Sequence, residues 1–335
     1  MALYVNTNVT SLRGQSSLNK ATNSLATTYN RLSTGLRINS ARDDAAGLQI
    51  SDRLTSQING LNQGNRNAND AIALTQTVEG SMDEMTTMLQ RIRTLAVQSA
   101  NGTNTTTDRA SIQAEVTALS KEITRIASKT TYGGKKILSG FGTDDSIVRS
   151  KDANKKQVNF QVGANNADVL TLDMTLKDTN DADSGAVDYS LGSLMKAAGV
   201  ATNVTTAKAI DGKNTGAWGV VKGQRGDIAS GTNYAVWNVS NSSAAQATLA
   251  NIDKVINLID TKRGDFGALE NRLSSTISNQ TNVANNESDA RSRIRDTDYA
   301  EEASNLSAQS IVQQAASSML TQANSLPQLA LSLLG

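Results

Sequence analysis

The 335-residue chain contains no cysteine and no histidine, and its one proline is Pro327. Without cysteine it cannot form a disulfide, a thiolate metal site or a thiol nucleophile. Without histidine it lacks the commonest general base and the commonest metal ligand. We therefore expect no enzymatic activity, no cofactor and no bound metal.

Aromatic residues make up only 3% of the chain, and the formal net charge is +1. So few bulky side chains favour helix-on-helix packing over a wide sandwich, and the balanced charge argues against a nucleic-acid partner. No apolar run approaches the ~20 residues of a membrane span, so we expect no membrane insertion. The first residues also lack the zones of a cleavable signal peptide. These features alone favour a cytosolic protein.

Both ends of the chain carry narrow apolar stripes at helical spacing. The C-terminal stripe recurs alternately every four and three residues, at Val312, Ala316, Met319, Ala323, Leu326, Ala330 and Leu333. The N-terminal stripe consists of Leu18, Ala21, Leu25, Tyr29, Leu32 and Leu36. This spacing is typical of a coiled-coil seam. Because a lone helix of this kind is marginal in water, we expect the two ends to pair in antiparallel fashion and to be disordered in the free monomer.

The interior combines long helices with a strand-forming middle. Residues 44–99 contain no proline and keep helical periodicity, and the polar turn at 101–108 precedes a second helix capped by Thr107 or Asp108. Residues 157–176 alternate as a β-hairpin does. Residues 177–243 are rich in Gly, Asn, Thr and Asp, and helical periodicity returns at 244. We predict a mainly α fold: a long antiparallel coiled coil or helical bundle formed from both terminal regions, with a β-hairpin and a small, irregular, β-rich middle insertion.

Several segments in two distant blocks resemble bacterial flagellin. In the first block they are RLSTGLRINSARDDAAGLQISDRL at 31–54, GNRNANDAIALTQTVEG at 64–80 and QRIRTLAVQSANGTN at 90–104. In the second they are NLIDTKRGDFGALENRL at 257–273, ARSRIRDTDYAEEAS at 290–304 and the ending LPQLALSLLG. The resemblance implies three regions: an inner coiled-coil domain at 1–43 plus 296–335, a helical rod domain at 44–176 plus 244–295 with the hairpin at about 157–176, and a small variable outer lobe or loop at 177–243.

The resemblance also implies a function. The chain would be the structural subunit of a bacterial flagellar filament, would assemble at the distal tip for swimming, and would be extracellular. It would leave the cell through the flagellar type III export apparatus without a cleavable signal peptide. Its partners would be further copies of itself, an export chaperone, a cap protein and hook–filament junction proteins. The alternatives are a hook–filament junction protein and, from another class, a surface adhesin, whose face only the region of Trp218 and Trp237 could supply.

Three groups of residues are predicted to form functional surfaces. The filament core interface comprises Leu18, Leu25, Leu32, Val312, Ala316, Met319, Ala323, Leu326 and Leu333. A charged hinge between the inner and rod domains comprises Arg42, Asp43, Asp44, Arg293, Arg295 and Asp296. By resemblance to flagellins that a mammalian toll-like receptor detects, a receptor-contact patch comprises Gln90, Arg91, Leu95 and Glu115.

Overall fold

The computed structural model describes residues 7–139, 141, 144–148, 156–176, 189–200, 216–222 and 233–332. The helices are α1 (Val9–Thr34), α2 (Ala45–Ala100), α3 (Thr106–Lys129), α4 (Leu191–Ala197), α5 (Ser242–Arg295) and α6 (Tyr299–Ser332). The strands are β1 (Thr131–Tyr132), β2 (Lys135–Lys136), β3 (Gln157–Gln161), β4 (Val169–Asp173), β5 (Trp218–Lys222) and β6 (Asn233–Trp237). They form three antiparallel hairpins, β1–β2, β3–β4 and β5–β6. The predicted mainly α fold is confirmed.

The chain divides into two compact units. Unit 1 comprises Met1–Gly60 and Asn282–Gly335, and unit 2 comprises Leu61–Thr281. The first turns of α2 and the last turns of α5 are therefore grouped with α1 and α6 rather than with the rest of their own helices. No helix in the described part of the chain is long and apolar enough to cross a membrane.

Unit 2 contains the large hydrophobic core. Its long helices contribute buried side chains three or four residues apart, the spacing that places them on one face of a helix. On α2 these include Leu74, Val78, Met82, Met85, Leu89, Ile92 and Leu95; on α3, Ile112, Val116 and Ile123; on α5, Ile252, Val255, Ile259, Phe266 and Leu273. Described residues of the predicted outer lobe join the same core, among them Tyr189, Leu191, Leu194, Met195, Trp237 and Val239. These residues pack against the long helices. Residues 177–188, 201–215 and 223–232 lie outside the described residues.

The buried amide of Gln113 ties the middle segment to α3. Its Nε2 donates to the carbonyl oxygen of Trp237 at 2.9 Å, and its Oε1 accepts from the main-chain N–H of Val239 at 2.6 Å. Trp237 is fully buried. Trp218 is half-buried against the same core, so the two tryptophans do not together form an exposed aromatic face.

The β3–β4 hairpin at 157–173 is confirmed, and it packs on α2. The side-chain amide of Asn67 donates to the carbonyl oxygen of Gln161 at 2.8 Å. Gly64 of α2 packs against the main chain next to β3. A Cβ at this position would overlap the carbonyl oxygen of Val162. Close approach of two backbones explains why a helix-weakening glycine is tolerated there.

The cap of α3 differs from the sequence prediction. Thr105 is the N-cap, and Thr105 and Asp108 form a reciprocal capping box. The Asp108 carboxylate accepts from the Thr105 main-chain N–H at 2.9 Å and from its hydroxyl at 2.7 Å. These hydrogen bonds, the one from the hydroxyl foremost, hold the pKa of Asp108 below its ordinary value of 3.8. The prediction of Thr107 or Asp108 as the cap was wrong because Asp108 is the third residue of the helix and bonds back to the cap.

We expect Thr105→Ala to lower the free energy of unfolding by ~1 kcal/mol at neutral pH, as loss of an N-cap does. The lowered pKa of Asp108 means that the box contributes above the unfolded pKa and loses its contribution as the pH falls through the folded value. The difference between variant and wild type should therefore shrink in acid. Denaturant unfolding at a series of pH values measures it. Thr107→Ala is the control, and an equal loss from both substitutions would contradict the assignment.

Candidate self-association surface

In unit 1, α1 and α6 pair in antiparallel fashion along their length. The contacts that fix the register are Asn8 Nδ2 to the Ala323 carbonyl at 2.7 Å, Ser11 Oγ to Asn324 Oδ1 at 2.6 Å, Arg31 to Glu302 at 3.9 Å and a β-bridge between Leu36 and Asp296. Near the first of these contacts, a Cβ on Gly14 would lie 3.3 Å from the side chain of Leu320. The two backbones are therefore close, as the small side chains of both helices allow.

Both helices present a heptad seam to each other. The buried and half-buried positions alternate three and four residues apart. On α1 they are Ser11, Gly14, Leu18, Ala21, Leu25, Thr28 and Leu32, and on α6 they are Glu302, Leu306, Gln309, Gln313, Ala316, Leu320 and Ala323. Of the predicted interface residues, Leu18, Leu25, Leu32, Ala316 and Ala323 thus lie on the seam within one molecule.

The structure corrects the C-terminal part of the predicted stripe. Gln313 and Leu320 occupy the seam in place of Val312 and Met319, which are 50% and 63% exposed. The predicted stripe followed apolar residues alone, whereas the true heptad includes glutamine and glutamate. Leu326 lies in α6 with its side chain outside the described residues, and Leu333 lies outside them altogether.

Between residues 304 and 325, the exposed apolar residues of α6 are grouped on one side of the helix. Ala308, Ile311, Val312, Ala315 and Met319 are all exposed and recur at three- and four-residue spacing, which places them on one face beside the seam. We call this set the apolar flank. The exposed residues on the other side of the seam, the polar flank, are Ser307, Gln314, Ser317 and Thr321.

Unit 1 buries little apolar surface of its own. Its buried apolar side chains among the described residues are Ala21, Ile38, Ile58, Ala284, Ala316 and Ala323. In contrast, most of the exposed large apolar side chains of the described residues belong to it: Val9, Leu12, Tyr29, Ile50, Val283, Tyr299, Ile311, Val312 and Met319. Alanine burial gives little compensation for the entropy lost when two long helices are ordered. Unit 1 is therefore weakly stabilised by internal packing and leaves apolar surface for a neighbour.

One ion pair lies within the seam. The Glu302 side chain is only 8% exposed and faces Arg31 at 3.9 Å. Arg31 Nε and Glu302 Oε1 have no hydrogen-bond partner. A buried pair of this kind adds little stability but disfavours registers that separate its members. This pair was not predicted from the sequence, although Glu302 lies two heptads before Ala316 and is therefore at a seam position.

The predicted hinge residues lie at the two connections of unit 1, α1–α2 and α5–α6. Main-chain hydrogen bonds join these connections: Arg37 N–H donates to the Arg295 carbonyl at 2.7 Å and Thr297 N–H to the Gly35 carbonyl at 2.9 Å. The charged side chains serve local structure instead. Asp44 caps α2 by accepting from Gly47 N–H at 3.0 Å, and Arg293 pairs with Asp289 in its own helix at 2.8 Å.

Asp43 likewise serves its own turn. It accepts from the main-chain N–H of Ser40 at 2.9 Å and from its hydroxyl at 3.0 Å, and these bonds, the main-chain one foremost, hold the pKa of Asp43 below its ordinary value. Among the described residues no ion pair links Arg42, Asp43 or Asp44 to Arg293, Arg295 or Asp296. The two connections are thus joined by the main-chain hydrogen bonds and by the Arg37 side chain, which donates to the Ile294 carbonyl at 2.9 Å, rather than by the predicted charge cluster.

The predicted receptor-contact patch lies in unit 2. Arg91 on α2 pairs with Glu115 on α3 at 2.8 Å, with both side chains about half exposed (57% and 45%), and Gln90 beside them is exposed. Leu95 requires correction, because it is 2% exposed and belongs to the hydrophobic core. On this face only Gln90, Arg91 and Glu115 of the four residues are accessible to a partner. Arg93 pairs separately, with Asp253 of α5 at 2.8 Å.

The chain is similar in sequence to known bacterial flagellins. Residues 5–143 match the bacterial flagellin N-terminal helical region, and residues 249–334 match the bacterial flagellin C-terminal helical region. The chain is 39% identical to flagellin D of Vibrio anguillarum over 380 aligned residues and 38% identical to flagellin B of Vibrio cholerae serotype O1 over 380, in each case across the whole of both chains. It is also similar to the crystal structure of Bacillus cereus flagellin, with 24% identity, a TM-score of 0.41, and coverage of 64% of this chain and 88% of that one.

Proposed function

Since this chain belongs to the bacterial flagellin family, whose members are structural subunits of the flagellar filament, we propose that its copies assemble through unit 1. In this proposal α1 and α6 pair within each subunit by the heptad seam, and the apolar flank packs against a neighbouring subunit. Repetition of one heterologous contact that does not close into a ring produces an open helical polymer.

The observation that carries this proposal is the contrast between the two units. Unit 2 has a core of large apolar side chains, whereas unit 1 buries mainly alanine and exposes Ile311, Val312 and Met319 on one flank of α6. Contiguous exposed apolar surface of this kind marks a protein interface. Binding between subunits stabilises the folded state that binds. Subunit contacts would therefore supply the stability that unit 1 lacks in the monomer.

The two alternatives, a hook–filament junction protein and a surface adhesin, are less well supported. Similarity to flagellins extends across the full length of the chain, which favours the filament subunit over a hook–filament junction protein. Burial of Trp237 and partial burial of Trp218 against the same core disfavour the adhesin alternative, which depended on an exposed aromatic face. The family is one of structural proteins, in agreement with the absence of histidine and cysteine from the chain.

Export through the flagellar type III apparatus without a cleavable signal peptide, and assembly at the distal tip outside the cell, form the remaining part of the proposal. A subunit whose terminal helices bury little apolar surface of their own is suited to passage in an unfolded form. Before assembly the same exposed flank would need protection, which is the role proposed for an export chaperone. A cap protein and the hook–filament junction proteins are proposed as further partners.

We expect the double variant Ile311→Glu/Val312→Glu to keep the α1–α6 pair and to lose polymerisation. Both side chains point away from the seam and are exposed in the monomer, so helix content should remain as in wild type. In the polymer each would place an unpaired carboxylate in an apolar interface, at a cost of several kcal/mol. Sedimentation and negative-stain electron microscopy report polymer, and circular dichroism reports helix.

The matched control is Gln314→Glu/Ser317→Glu, which adds the same charge to the polar flank of the same helix. Filaments should form from this control at concentrations close to those of wild type. Filaments from the Ile311→Glu/Val312→Glu protein at the wild-type concentration would refute the proposed interface.

A second proposal concerns the surface of unit 2 around Arg91 and Glu115. Their exposed ion pair, with Gln90 beside it, presents charged groups and an amide to a binding partner, and we propose this patch as a ligand of the mammalian flagellin-sensing toll-like receptor. Arginine is a frequent energetic centre of protein interfaces. Thr94, which is also exposed, departs from the acidic residue common at this position in the flagellins that the chain resembles.

We expect Arg91→Ala to weaken binding of the monomer to the receptor ectodomain by roughly tenfold or more, as truncation of a central interface arginine does. Surface plasmon resonance with the purified ectodomain measures the affinity. Arg93→Ala is the control, because Arg93 is exposed to a similar extent and pairs with α5 instead. If both substitutions had the same small effect, the receptor patch would lie elsewhere.

A further inference from the structure

The methionines of this chain are distributed unevenly between core and surface. Met82, Met85, Met174 and Met195 are fully buried, and Met88 is half-buried. Met319 is 63% exposed, and it alone among the described methionines presents most of its surface to solvent. Its thioether is therefore far more accessible to a dissolved reagent than the others.

Met319 is also part of the apolar flank. It follows Val312 and Ala315 at helical spacing, so its side chain extends the exposed surface that those residues begin. The heptad seam does not use it, because Leu320 occupies the neighbouring seam position. A chemical change at Met319 would therefore alter the flank while leaving the α1–α6 pair intact.

We propose that Met319 is an oxidation site through which peroxides control self-association of this protein. The proposal rests on the proposed function, since it requires the apolar flank to be buried between subunits. The thioether sulfur attacks one oxygen of hydrogen peroxide, a sulfur–oxygen bond forms, the oxygen–oxygen bond breaks, and water leaves. Sulfur is oxidised by two electrons to the sulfoxide and the peroxide is reduced by two.

A sulfoxide at Met319 makes burial of the apolar flank between subunits unfavourable. Oxidation converts a flexible apolar side chain into a polar one, whose oxygen accepts hydrogen bonds from water in the monomer. Against neighbouring apolar residues that oxygen would lose its partners, and an unpaired buried polar group is costly. Monomers would therefore be sensitive to peroxide, whereas subunits already assembled would be protected by burial of the same side chain.

The test exposes purified monomer and preformed polymer to dilute hydrogen peroxide and follows each methionine by peptide mass spectrometry. In the monomer, Met319 should oxidise at least roughly tenfold faster than Met82, Met85, Met174 and Met195, because accessibility controls the reaction. The polymer should show slower oxidation at Met319. The concentration needed for polymerisation, measured by sedimentation, should rise roughly tenfold for oxidised monomer, the size of effect expected when an unsatisfied polar group is buried.

Two variants separate this site from other damage. Met319→Leu should polymerise normally and remain insensitive to peroxide, and Met319→Gln without peroxide should resemble the oxidised protein. Loss of polymerisation by Met319→Leu after the same treatment, or normal polymerisation of protein oxidised at Met319, would overturn the inference. Failure of untreated wild type to polymerise at all would instead overturn the proposed function, while the relative oxidation rates in the monomer would still decide whether Met319 is the reactive site.

Discussion

Replacing Ala316 with glutamate is expected to separate α6 from α1 and to abolish polymerisation at every concentration that keeps the protein soluble. Ala316 is 3% exposed and lies in the middle of the heptad seam. The two helices approach closely there, as the position of Leu320 against Gly14 shows. A glutamate side chain does not fit this space, and its charge would have no partner, a combination that costs several kcal/mol.

The measurement is far-UV circular dichroism of the monomer together with sedimentation under polymerising conditions. Helix signal should fall by an amount attributable to α1 and α6, while the near-UV signal of the buried Trp237 in unit 2 should persist. Ser317→Glu is the control, because Ser317 is the next residue and is exposed. The loss of helix distinguishes Ala316→Glu from Ile311→Glu/Val312→Glu, which should block polymerisation while the helix content stays as in wild type. An Ala316→Glu protein with full helix content would contradict the seam.

The second large effect is expected at Gly64. Alanine at this position would place its Cβ on the carbonyl oxygen of Val162, so that the β3–β4 hairpin or α2 must shift. The Cβ and the main-chain carbonyl of Val162 are both fixed to the backbone, so neither can move aside as the end of a long side chain would. We therefore expect the free energy of unfolding to fall by about 2 kcal/mol or more, the range of overpacked cores. Movement of the hairpin would also break the hydrogen bond from Asn67 to Gln161.

Gly80 supplies a matched control in the same helix. Nothing lies within 4 Å of a Cβ added there, so Gly80→Ala should raise the free energy of unfolding by roughly 0.5–1 kcal/mol through helix propensity alone. Denaturant unfolding of the two variants should therefore give changes of opposite sign. Equal stabilisation by both would show that the hairpin does not rest on α2.

The long helices were predictable because their apolar residues repeat with the period of the helix over many turns. Leu95 follows Ile92 at helical spacing within this pattern, whereas resemblance to the flagellins assigned it to a surface. The structure follows the periodicity. Leu95 lies in the hydrophobic core of unit 2 and is available to a partner only if that core opens.

Other features could not be predicted because they depend on contacts distant in sequence. Two positions of the α6 stripe were predicted one residue too early, Val312 instead of Gln313 and Met319 instead of Leu320, because an apolar pattern does not include Gln313. Similarly, composition at 177–243 indicated irregular structure, but it does not show that Gln113 holds the main chain at Trp237 and Val239. The cap of α3, by contrast, is local: the spacing of Thr105 and Asp108 is that of a capping box and would have identified Thr105 as the N-cap.

Hydrogen exchange of dilute monomer and of polymer, resolved by peptide, tests the central claim most directly. Because unit 1 buries mainly alanine, amides in α1 and α6 should exchange in the monomer far faster than those of the unit 2 helices around Met85 and Phe266, and they should become protected on assembly. Equal protection of α1, α6 and unit 2 in a monomer that never associates would contradict the claim that the terminal helices are completed by neighbouring copies.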